Sequence, residues 1–290
     1  MQFNISLKNL NTWHVGGKCK KYFAPTSLFS LYEELPFILK DEEEVHLLGG
    51  GSNVLISDED LDMTIINTPS LSSLNILEEN SEFVRLEVTA GFSTRELLAF
   101  TIRNNLTGLE VLTGIPGTIG GALWGNAGAA GADLSSVLEE VELVTRTAEI
   151  TTLHNHNLVW KYRQSPFVNT DIFMITKLIL SLEKTDPKMV RQNIQKYALL
   201  KRGQPLAKCT AGCVFKNPPK LSAGKLLDSS GCKGMTCGDA MVSYSHANFI
   251  ENIANATSND ILKLSECCRK MVYEKYGVEL EYEIQMLGYF

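Results

Sequence analysis

The sequence predicts an α+β protein, in which helices and strands alternate without a regular repeat. Residues 82–90 alternate between apolar and polar side chains, as a half-buried strand does. Residues 257–276 have helical spacing, with Thr257 or Ser258 as the cap at the start and Gly277 after the end. Residues 114–131 hold seven glycines among apolar side chains, which is unlike a polar linker and predicts backbone lying close to a flat or anionic ligand.

The remaining elements follow from local patterns along the chain. Ser27 is expected to cap a helix whose end is complicated by Pro36, and Ser93 with Glu96 matches a capping box. In chain order we predict strands or helices at 22–24, 27–36, 45–66 (strand, glycine loop, strand), 82–90, 93–105, 137–145 with 147–153 (a hairpin), 173–182, 187–202, 222–230, 240–252 (strand, turn, strand), 257–276 and 278–287.

Composition excludes several classes of function. The formal net charge is −6 and the pI is about 5.5, which argues against a general nucleic-acid binder. The start of the sequence lacks the pattern of a signal peptide, and no apolar run approaches the ~20 residues of a membrane helix. Seven cysteines, an odd number, predict free thiols in the cytoplasm. The spacings Cys209-x3-Cys213 and Cys232-x4-Cys237 do not match zinc motifs, so no metal is predicted.

A second glycine-rich loop occupies residues 49–53, with the sequence Gly-Gly-Gly-Ser-Asn. Its amide groups can cradle a pyrophosphate, although a tight hairpin explains the pattern equally well. The loop is not a P-loop, because no Gly-Lys-Ser/Thr follows, and it lacks the spacing of a dinucleotide-binding Rossmann fingerprint.

Three side chains are candidates for chemistry. Arg163 stands among aromatic residues and suits bidentate carboxylate binding, although a structural role explains it equally well. Cys213, after Gly212, can be a nucleophile, a proton donor or buried filler. A carboxylate near the end of the chain can serve as the third group, but alternation places Glu279, Glu281 and Glu283 on the same strand face and does not choose among them.

Several motifs occur together in a recognisable order. They are Thr12-Trp-His-Val-Gly-Gly17, Leu48-Gly-Gly-Gly-Ser-Asn-Val-Leu-Ile-Ser57, Gly114-Ile-Pro-Gly-Thr-Ile-Gly-Gly-Ala122 with Asn126-Ala-Gly-Ala129, Tyr162-Arg163-x-Ser165, Phe215-Lys-Asn-Pro218, His246-Ala-Asn-Phe249 and Leu280-Glu-x-Glu283-Ile. From about Asn11 to Gly288 the chain thereby resembles the UDP-N-acetylenolpyruvoylglucosamine reductases of peptidoglycan synthesis, and within them the shorter subclass that lacks a tyrosine-bearing lid loop.

The resemblance implies an FAD-binding fold of the vanillyl-alcohol-oxidase type, made of two subdomains, followed by an α+β substrate-binding domain. The expected divisions are residues 1–66, 67–183 and 184–290. It also implies a cytoplasmic enzyme, expected to be a monomer with no nucleic-acid or membrane partner. Its reaction uses non-covalent FAD and NADPH to reduce an enolpyruvyl ether of a UDP-sugar, forming UDP-N-acetylmuramate.

The resemblance also assigns roles to residues of this chain. The FAD-binding positions are Gly49, Gly50, Gly51, Ser52, Asn53, Ile115, Pro116, Gly117, Thr118, Gly120, Gly121 and Asn126, and the substrate-binding positions are Tyr162, Lys216 and Asn217. Arg163 is implied to stabilise the enolate, Cys213 to donate a proton, and Glu283 to assist. The family normally has serine at the position of Cys213, so this chain departs from the family pattern at its proposed acid.

Two other functions fit parts of the pattern. One is a different FAD-dependent oxidoreductase or oxidase on the same fold, for which His14 is the nearest candidate for covalent flavin attachment. However, the Lys-Asn-Pro and Leu-Glu-x-Glu patterns do not fit that class. The other is a nucleotide-binding module that has lost activity through the change at Cys213.

Overall fold

The computed structural model describes residues 1–40, 44–129 and 131–290, so Ala130 of the glycine-rich segment lies outside the described residues. The helices are Leu28–Lys40, Thr94–Arg103, Ile119–Trp124, Pro187–Leu200, Ala223–Ser229 and Ser258–Tyr276. The strands are Gln2–Ser6, Lys18–Phe23, Glu44–Leu48, Val54–Ile56, Leu61–Asn67, Leu74–Glu79, Phe83–Thr89, Leu106–Thr107, Gly128–Ala129, Ala132–Asp133, Leu138–Thr145, Ile150–His154, Ile172–Lys184, Thr236–Cys237, Ala240–Val242, Ile250–Asn252 and Gln285–Leu287.

The chain forms two compact units, each made of separate stretches of sequence. The first unit contains Met1, Tyr22–Gly50 and Met63–Arg202, and the second contains Gln2–Lys21, Gly51–Asp62 and Gly203–Phe290. Among the described helices, none combines the length and apolar composition that crossing a bilayer requires.

The first unit is organised around an antiparallel sheet. Its long central strand Ile172–Lys184 pairs with Leu138–Thr145 on one side and with Phe83–Thr89 on the other. The apolar face of this sheet packs against the helices Thr94–Arg103 and Ile119–Trp124. A separate apolar cluster lies under the helix Leu28–Lys40. In this unit the strand Glu44–Leu48 pairs in parallel with residues Met63–Asn67.

The second unit packs around the long helix Ser258–Tyr276. Thr257 caps this helix in a capping box with Asp260, and Gly277 ends it in the left-handed conformation. The sequence predicts the cap at Thr257 or Ser258 and the end at Gly277. The indole of Trp13 is fully buried in this unit and donates a 2.8 Å hydrogen bond to the carbonyl of Ile250. The end of the chain, Gln285–Leu287, pairs in parallel with Val54–Ile56.

Two local predictions differ from the structure. Pro36 lies inside the helix Leu28–Lys40 and does not end it. Residues 278–287 are not one strand, since only Gln285–Leu287 is regular and Tyr282 makes a single bridge with Phe215. A bend at Ile284 shifts the alternation, so that Met286 is exposed while its neighbour at 287 is buried.

The helix Pro187–Leu200 lies in the first unit. Its Tyr197 packs on the sheet core, and Asn193 donates a 3.2 Å hydrogen bond to the buried carboxylate of Glu110. The predicted boundary after residue 183 assigns the same helix to the substrate-binding domain. The first compact unit therefore extends beyond that boundary, to Arg202. The functional division itself stays a prediction.

Candidate active site

The first half of the 49–53 loop lies directly against the glycine-rich segment, both in the first unit. A Cβ atom added at Gly50 would lie 2.7 Å from Cα of Gly117, and one added at Gly49 would lie 2.8 Å from Oγ1 of Thr118. Two stretches of backbone therefore meet where no side chain fits. The flanking strands pair elsewhere, Glu44–Leu48 with Leu61–Asn67, so the hairpin alternative is wrong.

The glycine-rich segment itself has two parts. Thr118 caps the short helix Ile119–Trp124 by accepting a hydrogen bond from the amide of Gly121. Gly120 is buried against Ala90, where an added Cβ would lie 2.6 Å from the alanine Cβ, so glycine is needed at this position for packing. Gly114, Pro116, Gly121 and Gly131 are exposed, so these members of the segment can present surface to a ligand.

These features fit a flavin dinucleotide, which needs close backbone approach along its length. Asn126 adds a polar atom: the residue is 4 % exposed, and within the described residues its Oδ1 is buried without a hydrogen-bond partner. A buried polar atom of that kind is normally satisfied by water or a ligand. The residues of the first unit are thus suited to hold FAD.

Arg163 lies on a tight turn. The amides of Lys161 and Gln164 each donate a 3.2 Å hydrogen bond to the other's carbonyl, and Arg163 has a φ of +55° between them. That conformation is uncommon for a residue with a long side chain and indicates local strain. The guanidinium is partly buried, lies 5.2 Å from the ring centroid of Tyr162 and donates a 3.1 Å hydrogen bond to the carbonyl of Gly128.

In the second unit, the segments that carry Cys213 and Glu283 are adjacent. The amide of Glu283 donates a 2.8 Å hydrogen bond to the carbonyl of Val214, the residue after Cys213. Phe215 and Tyr282 form an isolated β-bridge beside this hydrogen bond, and their rings stack with centroids 5.1 Å apart. Cys213 and Glu283 are both partly buried.

The second half of the glycine loop joins this arrangement. Nδ2 of Asn53 donates a 3.1 Å hydrogen bond to the carbonyl of Glu283, and the carbonyl of Asn53 accepts one of 2.9 Å from Gln285. Gly51 has a φ of +62°, and a Cβ there would lie 2.0 Å from the carbonyl oxygen of Leu10. The hydrogen bonds of Asn53 therefore order the segment that carries the candidate carboxylate, whatever Asn53 contributes to a ligand.

The two predicted substrate-binding residues of this unit have different surroundings. Lys216 forms a 3.3 Å ion pair with Glu281, which is largely exposed. Asn217 is exposed, and its Oδ1 accepts a 3.0 Å hydrogen bond from the amide of Ala223 at the start of the next helix. Tyr162, the third predicted substrate residue, is 58 % exposed in the first unit.

Sequence reasoning missed the residue that fixes the Cys213 segment. Asn248 is 3 % exposed, and its amide group bonds both the N–H of Phe215 (3.0 Å) and its carbonyl (2.8 Å). The signal was present, because Asn248 lies in the motif His246-Ala-Asn-Phe249 used for the resemblance. Burial also changes the pKa of two neighbouring side chains: it lowers the pKa of His246 and raises the pKa of Tyr282.

Comparison with known proteins finds two family models along the chain. Residues 20–154 match the model of an FAD binding domain, and residues 204–287 match the model of the UDP-N-acetylenolpyruvoylglucosamine reductase C-terminal domain. UDP-N-acetylenolpyruvoylglucosamine reductase of Thermotoga maritima is 37 % identical over 274 residues, covering 94 % of this chain and 93 % of that protein. The reductase of Caldanaerobacter subterraneus subsp. tengcongensis is 32 % identical, with coverage of 99 % and 94 %.

A solved structure gives the same result. The crystal structure of the reductase from Thermus caldophilus superimposes with a TM-score of 0.81 at 30 % identity and covers 98 % of both chains. The predicted α+β fold with an FAD-binding domain is confirmed. The chain belongs to the UDP-N-acetylenolpyruvoylglucosamine reductase family of FAD-dependent oxidoreductases.

Proposed function

We propose that the chain reduces UDP-N-acetylglucosamine enolpyruvate to UDP-N-acetylmuramate with NADPH, through FAD, in peptidoglycan precursor synthesis. The observation that carries this is the match to the Thermotoga maritima reductase along almost the whole of both chains. The similarity to reductases favours this function over an oxidase on the same fold.

FAD is held, in this proposal, by the glycine loop and the glycine-rich segment. Gly49 and Gly50 allow backbone to approach Gly117 and Thr118, which leaves main-chain amides in reach of a pyrophosphate. The other positions assigned to FAD are Gly51, Ser52, Asn53, Ile115, Pro116, Gly120, Gly121 and Asn126. When bound, FAD accepts a hydride from NADPH and supplies it to C3 of the enolpyruvyl group.

Arg163 is proposed to stabilise the charge that appears on the substrate. Hydride addition at C3 leaves an electron pair at C2, which spreads into the adjacent carboxylate as an enolate. A guanidinium that is partly buried and already oriented binds such a dianion more strongly than water does. The hydrogen bond from Arg163 to Gly128 holds the group in place before the substrate arrives.

Cys213 is proposed to protonate C2 of the enolate, with Glu283 assisting. A thiol is a much stronger acid than the serine hydroxyl usual in this family, so its Sγ–H bond breaks readily as the C2–H bond forms. The adjacency of the two segments through Val214 supports a joint role for Cys213 and Glu283. Lys216, Asn217 and Tyr162 are proposed to contact the sugar nucleotide.

The roles of Arg163 and Glu283 are tested by separating the two half-reactions. We expect Arg163→Ala and Glu283→Gln to bind FAD and to be reduced by NADPH, but to be reoxidised by substrate about 100-fold more slowly, by analogy with a lost oxyanion donor worth ~3 kcal/mol. Stopped-flow absorbance of the flavin measures both steps. A reoxidation rate equal to that of the unmodified enzyme would refute these assignments.

The role of Cys213 is tested by two substitutions at the same position. Cys213→Ala should lose most turnover, whereas Cys213→Ser should retain activity with a changed pH profile, because the serine hydroxyl has a higher pKa than the thiol. Steady-state NADPH oxidation across pH measures both variants. Unchanged turnover in Cys213→Ala would exclude proton donation by the thiol.

The setting of the enzyme is also part of the proposal. We infer a cytoplasmic monomer, and the free cysteines are in keeping with a reducing compartment. Size-exclusion chromatography with light scattering of the FAD-loaded protein tests the monomer, and a dimer mass would overturn it.

A further inference from the structure

The conformation of the turn that carries Arg163 depends on contacts from outside the turn. Arg163 is at φ +55°, and the two backbone hydrogen bonds between Lys161 and Gln164 close the turn without fixing where it points. A strained residue of this kind keeps its conformation only when surrounding structure over-determines it. Groups outside the turn must therefore hold Arg163 in this conformation.

Two hydrogen bonds tie this turn to the end of the glycine-rich segment. Nδ2 of Asn126 donates to the carbonyl of Lys161 at 3.0 Å, and Nη1 of Arg163 donates to the carbonyl of Gly128 at 3.1 Å. The first bond holds the backbone of the turn and the second holds the guanidinium itself. The orientation of Arg163 therefore depends on the positions of Asn126 and Gly128.

Asp133 contacts both of these positions. Its Oδ2 accepts a 3.3 Å hydrogen bond from Nδ2 of Asn126, and its Oδ1 accepts one of 2.5 Å from the hydroxyl of Ser135. Its backbone pairs with Gly128 in the short antiparallel ladder Gly128–Ala129 with Ala132–Asp133. A Cβ at Gly128 would lie 2.8 Å from Cβ of Asp133, so the two residues are in close backbone contact.

We propose that Asp133 is a positioning residue for Arg163, and that its carboxylate acts through Asn126 on the turn. This inference rests on the proposed function, in which Arg163 binds the substrate carboxylate. Since Nδ2 of Asn126 has two acceptors, the carboxylate of Asp133 and the carbonyl of Lys161, loss of the carboxylate frees the amide to rotate. The turn then loses the contact that fixes its direction.

The test variant is Asp133→Ala, with Glu149→Ala as control. Glu149 is an exposed acidic residue in the turn that joins two strands of the same unit, so its loss changes the charge equally. We expect Asp133→Ala to slow reoxidation of the reduced enzyme by substrate about 10- to 100-fold, as a misplaced binding group does. The rate of flavin reduction by NADPH should stay within about twofold, and Glu149→Ala should change neither rate.

The double variant Asp133→Ala/Arg163→Ala separates positioning from general damage. If Asp133 acts through Arg163, its removal adds nothing further once the arginine is gone. Additive losses, or a normal reoxidation rate in Asp133→Ala, would overturn the inference. A normal reoxidation rate in Arg163→Ala alone would instead refute the proposed role of Arg163, so the two failures are distinguishable.

A conservative variant covers the case in which Asp133→Ala does not fold. Asp133→Asn keeps an acceptor for Asn126, and the hydroxyl of Ser135 can rotate to accept from the new amide. We expect Asp133→Asn to fold and to retain reoxidation within about fivefold of the unmodified enzyme. A loss in Asp133→Asn as large as that in Arg163→Ala would show that the geometry of the hydrogen bonds is not what positions the arginine.

Discussion

Substitution of Gly50 by alanine tests the proposed FAD cradle most directly. The glycine loop and the glycine-rich segment meet at this residue, where an added Cβ would lie 2.7 Å from Cα of Gly117 and 3.3 Å from its carbonyl carbon. Both neighbours are backbone atoms, which cannot rotate away as a side chain does. The variant must therefore move one stretch of backbone relative to the other.

The size of the effect follows from the overlap. Carbon atoms in contact normally lie ~3.5–4.0 Å apart, so the loop must shift by about 1 Å. Overpacking of this kind costs ~1–3 kcal/mol. The apoprotein can relax by separating the two segments, whereas bound FAD requires both. If the cost falls on the bound state, the Kd for FAD rises about 5- to 140-fold, at ~1.4 kcal/mol for each factor of ten.

The assay is FAD titration of the apoprotein, followed by quenching of flavin fluorescence, with thermal unfolding of the same apoprotein. Gly125→Ala is the matched control, because an added Cβ there meets only a carbonyl oxygen at 3.6 Å, an ordinary contact. We expect Gly125→Ala to bind FAD normally. Normal FAD affinity in Gly50→Ala would refute the assignment of this close approach to cofactor binding.

Three further predictions concern the second unit. Asn248→Ala should destabilise the protein by about 2–5 kcal/mol, seen as a lower Tm, because it leaves the buried N–H and carbonyl of Phe215 without their partner; an unchanged Tm would contradict this. Trp13→Phe should cost ~1–3 kcal/mol by the same measurement, since the buried carbonyl of Ile250 loses its donor. Burial lowers the pKa of His246 below its ordinary value of 6.5, so the unfolded chain binds the proton first and stability falls as pH drops below about 6.5. His246→Gln should reduce that slope in urea titrations at pH 5 to 7, and an unchanged slope would exclude His246 as its source.

Local signals predicted the helices well because each helix end depends on residues next to it in sequence. The hydroxyl of Ser93 accepts from the amide of Glu96, and Thr257 forms its capping box with Asp260. The prediction of one strand at 278–287 was wrong because the pairing of this segment depends on residues far away in the sequence. Its apolar alternation is real as far as Leu280, but Tyr282 bridges one segment and Gln285–Leu287 pairs with another, so no single ladder extends the pattern.

Only those residues of the candidate site that lie in recognisable sequence motifs could be predicted. The turn of Arg163 is fixed by Asn126 and Gly128, more than 30 residues earlier, and nothing in the local sequence indicates a positive φ at an arginine. Asn53 holds the backbone at Glu283, which lies 230 residues later in the sequence. Such contacts depend on tertiary structure, so composition and periodicity do not reveal them.

The choice among the three glutamates can now be argued from surroundings as well as from resemblance. Glu279 and Glu281 are exposed, and Glu281 is already paired with Lys216. A solvent-exposed carboxylate has little electrostatic effect on a reacting group, because water screens its charge and supplies competing protons. Glu283 is partly buried, and its backbone is held on both sides, by Val214 at its amide and by Asn53 at its carbonyl. A fixed and partly desolvated carboxylate can assist a proton transfer, and among the three only Glu283 meets both conditions, which supports its assignment beside Cys213.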